Sequence, residues 1–369
     1  MTHNYRNILC IRLDNMGDLL MSSPAIAALK ETFGAKITVL TSAMAVGVAN
    51  LIDEIDEVMV YNVPWVKTNE HDKSEAFYSL VEQIRERQFD AAVIFTVYSQ
   101  SPLPAAMLTY LAGIPVCVGY CRENPYQLIN HWVPDKEPYE FIRHQVRRDL
   151  DLVSAIGAKT ASEHLRLNVP DINEFLLEQK LREAGVNEQQ PWLILHPGVS
   201  EPKREYPVER WIEAGRRVID ELGYQLLITG AASEKSLAEE IAYGIGTGAF
   251  PVAGLFNLNE FIVLVARSPI LVSVNTGTIH IAAALGVPTV VLYALTNPQH
   301  TPWQVPCKVL PFEVPVEAQS RNEVIVHVNK YFSAQQIPMP CVDDVLNAVK
   351  ELLAGELQHP VEIQAIYEQ

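Results

Sequence analysis

The sequence predicts an α/β chain built as two halves, each a parallel sheet with helices on both faces. Three observations lead there. Short β-rich runs alternate with helical periodicity between residues 7 and 120. The alternation lapses in the polar stretch 169–190 and restarts at Pro191. The length of 369 residues, 49% of them hydrophobic, suits about two domains of roughly 150 residues.

Residues 7–13 (NILCIRL) read as a buried strand, followed by a turn at 14–18 (DNMGD). An amphipathic helix at 19–30 carries Pro24 in its first turns. Strands at 36–40 and 57–61, a helix at 75–88 and a buried strand at 90–97 follow. The polar loop 98–102 (YSQSP) leads to a helix at 103–112 and a short strand at 116–120. Alternation of this kind implies a parallel sheet, whose ligand crevice lies beyond the carboxyl ends of its strands. The turns 14–18 and 98–102 both fall at such ends. Apolar residues at helical spacing mark 144–157, and a helix is predicted at 172–184. The expected domains are 1–170, a linker at 171–190, a second domain at 191–340, and a C-terminal helix and tail at 341–369.

The second half opens with a strand at 192–196 that ends in His196-Pro197-Gly198. A loop at 199–206 carries Lys203 and Arg204. Pro207 then suits the first position of a helix through 222, because its φ is already fixed for one. A strand at 225–229 ends at Gly230, with a helix from about 233 to 243; Gly254 and Leu258 precede a helix at 261–266. The stretch 270–298 (ILVSVNTGTIHIAAALGVPTVVLYALTNP) then reads as strand, tight turn, helix, strand. Its small-residue helix, 279–285, is closed by Gly286 and Pro288. A turn of this kind points backbone N–H groups at one spot, where the helix dipole adds positive charge, and so suits a phosphate or pyrophosphate. An ordinary βαβ connection with a threonine N-cap would look the same. The last helix, 342–353, precedes a polar tail expected to be partly disordered. Two such halves with a crevice between them form the arrangement called GT-B, two Rossmann-like domains facing each other across a cleft. The donor nucleotide would sit mainly on the second half and the acceptor on the first.

Composition narrows the function. The net charge of −16 argues against non-specific nucleic-acid binding and against adsorption to anionic lipid. It divides as −5 over residues 1–170 and −11 over the rest, which favours the first half for any acidic acceptor. No apolar run approaches a membrane span, and the N-terminus lacks a secretory h-region, so a cytoplasmic location is expected. Five cysteines at irregular spacing, without C-x-x-C, give neither a disulfide framework nor a zinc site. The literal D-x-D match, Asp149-Leu150-Asp151, lies in a helical pattern that turns the two carboxylates apart. The site is therefore expected to work without metal.

Several segments together resemble glycosyltransferase family 9, the ADP-heptose:lipopolysaccharide heptosyltransferases. They are Ile11-Arg12-Leu13-Asp14-Asn15-Met16-Gly17-Asp18 with Ser23-Pro24-Ala25; His196-Pro197-Gly198 with Lys203, Tyr206-Pro207 and Trp211; Thr229-Gly230 with Glu234; and Gly254 with Leu258. Ser273-Val274-Asn275-Thr276-Gly277 and His280 with Ala282-Ala283-Ala284-Leu285-Gly286 complete the set. Each alone is weak; their order and spacing are specific.

The resemblance implies inverting, metal-free transfer of a sugar, with heptose the family's example, from an ADP-sugar to an acceptor hydroxyl on a saccharide, glycolipid or small molecule. Asp18, beside Gly17, matches the proposed general base; by position alone it would merely offset its helix dipole. Lys203 matches a cation on the leaving diphosphate, with Arg204 able to share the role. Thr276 and Gly277 match the pyrophosphate turn, and His280 lies one turn further. Gly17, Thr229, Gly230, Glu234, Gly254 and Leu258 belong to the donor side, Glu234 as an acceptor of ribose hydroxyls. Ser99, Gln100 and Ser101 would line the acceptor side, and the loop 296–303, with His300, would lie near the donor sugar. One departure stands out. Asn275 replaces the family's aspartate, keeping hydrogen-bonding capacity but not charge, which puts the identity of the sugar in question. The segment 309–332 also fits the family pattern poorly. The alternatives are a non-catalytic nucleotide-sugar-binding protein and a nucleotide-sugar epimerase on the same fold.

Overall fold

The structure is a computed structural model that describes residues 4–67, 71–294, 298–331 and 337–355. Its contacts divide the chain into two units. The first runs to Asn168 and takes in Asn322–His327; the second is Val169–Arg321 and resumes at Val328.

The first unit contains β1 (Asn7–Ile11), α1 (Met16–Phe33), β2 (Lys36–Thr41), α2 (Val46–Ala49), β3 (Glu57–Val60) and α3 (Ser74–Glu86). It continues with β4 (Ala91–Ile94), α4 (Leu103–Ala112), β5 (Val116–Cys121), β6 (His131–Pro134) and α5 (Gln145–Ser154). The sheet order is β3-β2-β1-β4-β5-β6, with every pair parallel. The order reverses between β1 and β4, so the loops after these two strands flank the switch point, where such sheets bind ligands.

Helix α1 differs from the amphipathic helix expected at 19–30. It begins at Met16, and every residue from Gly17 to Leu29 is buried. The cause is two-sided cover: α1 lies on its own sheet and packs along α5 as well. Its start is fixed by Asn15, whose side chain accepts from the backbone N–H of Gly17 and of Asp18 at 3.1 and 3.4 Å. Asp18 therefore stands inside the first helical turn. Glu323, from the 322–327 segment, accepts from the Tyr98 hydroxyl at 2.5 Å.

The second unit contains α6 (Glu174–Glu183), β7 (Trp192–His196), α7 (Val208–Leu222), β8 (Gln225–Ile228), α8 (Lys235–Ile245), β9 (Ala249–Pro251) and α9 (Leu258–Arg267). Then come β10 (Leu271–Val274), α10 (Gly277–Ala284), β11 (Thr289–Ala294), β12 (Cys307–Phe312) and α12 (Val342–Leu353), while α11 (Glu323–Tyr331) begins in the first unit's 322–327 segment and ends in the second unit. The order is β12-β11-β10-β7-β8-β9, again all parallel. Counted from the first strand of each unit, the two topologies are identical, and here the switch point lies between β7 and β10. Trp211 on α7 anchors the core of this unit, edge-on to Tyr206 with ring centroids 5.2 Å apart. Pro207 sits at the N-cap, one position before the expected one. Among the described residues no helix is long and apolar enough to cross a membrane.

Candidate active site

Each unit carries a polar cluster at its switch point. In the first, β1 runs out at Ile11 and the next side chain, Arg12, is fully buried. Its Nη2 donates to Asp18 Oδ1 at 3.2 Å, and its Nε lies 3.3 Å from Asp14 Oδ2. Gln100, from the loop after β4, donates to Asp14 Oδ1 and accepts from the Val97 N–H at 3.3 Å. A third carboxylate arrives from α5: Asp149 accepts from Ser22 Oγ at 2.7 Å and from Gln145 Nε2 at 2.8 Å.

The charges shift one another. Burial pushes the Asp14 carboxyl up to about 6, against the pull of Arg12 and with the push of Asp18. Burial likewise raises Asp149 to about 6, opposed chiefly by Arg12. Burial alone would lower the Arg12 guanidinium, but the surrounding carboxylates outweigh it and hold it above its ordinary value. The expected acceptor residues separate. Gln100 joins the cluster, Ser101 Oγ accepts from the Leu103 N–H at 3.3 Å, and Ser99 is exposed. Asp149 and Asp151 do point apart, Asp151 pairing with Arg143. Among the described residues no three His, Cys, Asp or Glu side chains are placed to hold a metal ion.

In the second unit His196 ends β7. Its Nδ1 lies 2.9 Å from Thr229 Oγ1, and its Nε2 lies 3.1 Å from Thr278 Oγ1 on α10. Thr229 gives its own proton to the Leu195 carbonyl at 3.3 Å. It must therefore accept from Nδ1–H, which leaves Nε2 to accept from Thr278; the network assigns this tautomer. Burial pushes His196 down to about 4, so the ring is neutral at pH 7.

The expected donor turn follows directly. Thr276 is the N-cap of α10, and its buried Oγ1 has no hydrogen-bond partner among the described residues. Gly277 opens the helix, and His280 lies buried one turn in. Arg204 braces the turn: its Nη1 donates to the Asn275 carbonyl at 3.0 Å, while Nη2 meets Glu201 at 3.2 Å. Lys203 lies 3.4 Å from the same Glu201. The Asn275 side chain accepts from the Ala294 N–H at 3.2 Å, so one of its polar atoms ties the turn to the end of β11.

Glycines make room beside it. A Cβ on Gly198 would fall 2.1 Å from Glu234 Oε1, and one on Gly230 would fall 2.8 Å from Glu234 Oε2. The same carboxylate accepts from the Ala231 N–H at 2.7 Å. Gly254 donates to the Gly230 carbonyl at 2.9 Å, and Leu258 is the first residue of α9. Glu234 is thus held between loop glycines and at the head of α8. The loop 296–303 begins outside the described residues; His300 closes a short 3₁₀ turn, Pro298–His300.

Sequence reasoning gave no role to Arg12, Asp14, Asp149, His196 or Thr278. Arg12 carried a signal, a charge immediately after an apolar strand run. Asp149 carried none, because spacing along α5 does not say which helix it faces.

The profile of glycosyltransferase family 9 (heptosyltransferase) matches residues 77–330. The lipopolysaccharide heptosyltransferase 2 of Escherichia coli K12 is 26% identical over 306 residues, covering 80% of this chain and 84% of that protein. A family 9 glycosyl transferase from Veillonella parvula shares the fold with a TM-score of 0.76 at 17% identity, over 96% of this chain and 99% of that one. The ADP-heptose lipopolysaccharide heptosyltransferase II of E. coli gives 0.68 at 23% identity, over 95% and 99%. The fold is GT-B, with two Rossmann-like domains. By these matches the chain belongs to glycosyltransferase family 9 and is a glycosyltransferase.

Proposed function

We propose that this enzyme transfers a heptose from ADP-heptose to a hydroxyl of a lipopolysaccharide core, with inversion at the anomeric carbon and without a metal ion. Asp18 is the general base. It takes the acceptor's proton as that oxygen bonds to the anomeric carbon, while the bond to the diphosphate breaks and its electron pair leaves with ADP. The observation that carries the reading is the seat of Asp18, a carboxylate in the first turn of α1 beside the first unit's switch point, oriented by a fully buried arginine. On the donor side, Lys203 offsets charge on the leaving diphosphate, and the backbone donors at the head of α10, with Thr276, cradle it. The names of the relatives supply heptose, ADP and lipopolysaccharide as the substrate chemistry to test first.

Calorimetric titration with ADP, UDP, GDP and ADP-heptose, in EDTA, tests the donor half. Selective ADP and ADP-heptose binding, weakened in Lys203→Ala, supports it. Preference for UDP or GDP would discard ADP-heptose and keep sugar transfer. Binding or turnover that EDTA abolishes and added magnesium restores would reject the metal-free mechanism.

A further inference from the structure

Arg12 is one cation among three buried carboxylates: Asp14 and Asp18 from the turn after β1 and the first turn of α1, and Asp149 from α5. Polar groups facing them include Ser22 on α1, Gln100 after β4, and Gln145 on α5. Arg148 also acts on Asp149, but it is already held by Asp135 and Glu137 and stacked on Tyr120. With all three carboxylates ionised, the group around Arg12 carries excess negative charge. A carboxylate paired with arginine alone is a poor proton acceptor, because the cation favours its ionised form, whereas further carboxylates nearby oppose that effect.

We propose that Arg12, Asp14 and Asp149 are positioning residues for Asp18: the guanidinium fixes its direction, and the two other carboxylates restore the proton affinity that the guanidinium removes. This rests on the reading of Asp18 as the base. As Asp18 takes the acceptor's proton, the group becomes one unit less negative, so the step relieves repulsion among the carboxylates.

A carboxyl ¹³C NMR titration of the whole protein tests this, with the Asp18 signal identified by its loss in Asp18→Asn. In Asp14→Asn and Asp149→Asn the Asp18 midpoint should fall by on the order of one pH unit, as expected when a buried neighbouring carboxylate is neutralised. A midpoint that stays in place or rises in both overturns the proposal. If Asp149→Asn does not fold, Asp14→Asn decides alone, since its amide oxygen still accepts from Gln100. The underlying reading fails separately. An Asp18→Asn enzyme that still transfers sugar from ADP-heptose removes the base and this proposal with it. If Asp18→Asn is inactive while the Asp18 midpoint is unmoved in Asp14→Asn and Asp149→Asn, only this proposal falls.

Discussion

At the scale of single residues, Asp18 and Lys203 divide the proposed chemistry. Asp18→Ala should lower kcat by about 10²–10⁴ and leave donor affinity nearly intact, the usual cost of losing a general base. Lys203→Ala should weaken donor binding and kcat together. Steady-state kinetics with ADP-heptose, set beside ADP calorimetry, measure both; equal loss of ADP affinity in the two variants would contradict this division. The place of Asp18 at the head of a helix was legible, because a Gly-Asp pair opening a helix is a local pattern. Arg12 and Asp149 were not, since 137 sequence positions separate them and only the packing of α5 on α1 joins them. Asn275 shows a different limit. The sequence shows an uncharged side chain in the turn, but not that this side chain already accepts from the Ala294 backbone.

At the scale of elements, two local devices hold the clusters in place. Asn15 caps α1 through the N–H groups of Gly17 and Asp18. Asn15→Ala should cost about 1 kcal/mol by thermal unfolding, and it should lower kcat as well, because the freed turn is the one carrying Asp18. Gly254 has φ +73°, and a Cβ there would fall 2.8 Å from the Cα of Ala232. Gly254→Ala should therefore destabilise by about 1–3 kcal/mol, the range for a side chain forced into the left-handed region; an unchanged unfolding temperature would count against that geometry. Most central strands and long helices were readable from periodicity. The strands β6, β9 and β12 were not, and each lies at an edge of its sheet. β9 is three residues long, and β12 holds Pro311, which an edge strand tolerates but which masks the pattern.

At the scale of the molecule, the buried groups of the two clusters carry opposite pH linkages. His196 titrates near 4 in the fold and near 6.5 when unfolded, so between those values the unfolded chain binds the extra proton and stability falls as pH falls. Asp14 and Asp149 titrate near 6 in the fold and near 3.9 when unfolded. There the folded chain binds the extra protons, and stability falls as pH rises from about 4 to about 6. Unfolding temperatures measured from pH 4 to 7 should separate the two. Relative to wild type, His196→Gln should gain stability toward pH 4, and Asp149→Asn should lose it. Parallel curves for all three proteins would refute both linkages. That the chain divides in two was legible in the lapse at 169–190, but the strand order was not, because alternation fixes parallel pairing without saying which strands adjoin.

The assigned tautomer of His196 gives its hydrogen bonds a direction. Protons point from Thr278 into the ring, from the ring to Thr229, and from Thr229 to Leu195, all away from the head of α10. On the proposed reading, a diphosphate there would meet the backbone N–H of Thr278, while the hydroxyl proton already faces inward. Thr278→Val should accordingly leave ADP affinity within a few fold while costing about 1–3 kcal/mol of stability, because Nε2 of a buried histidine loses its donor. Thr278→Ser should cost neither. Loss of ADP binding in the valine variant, with stability kept, would mean that the hydroxyl faces the ligand and that the chain of hydrogen bonds runs the other way.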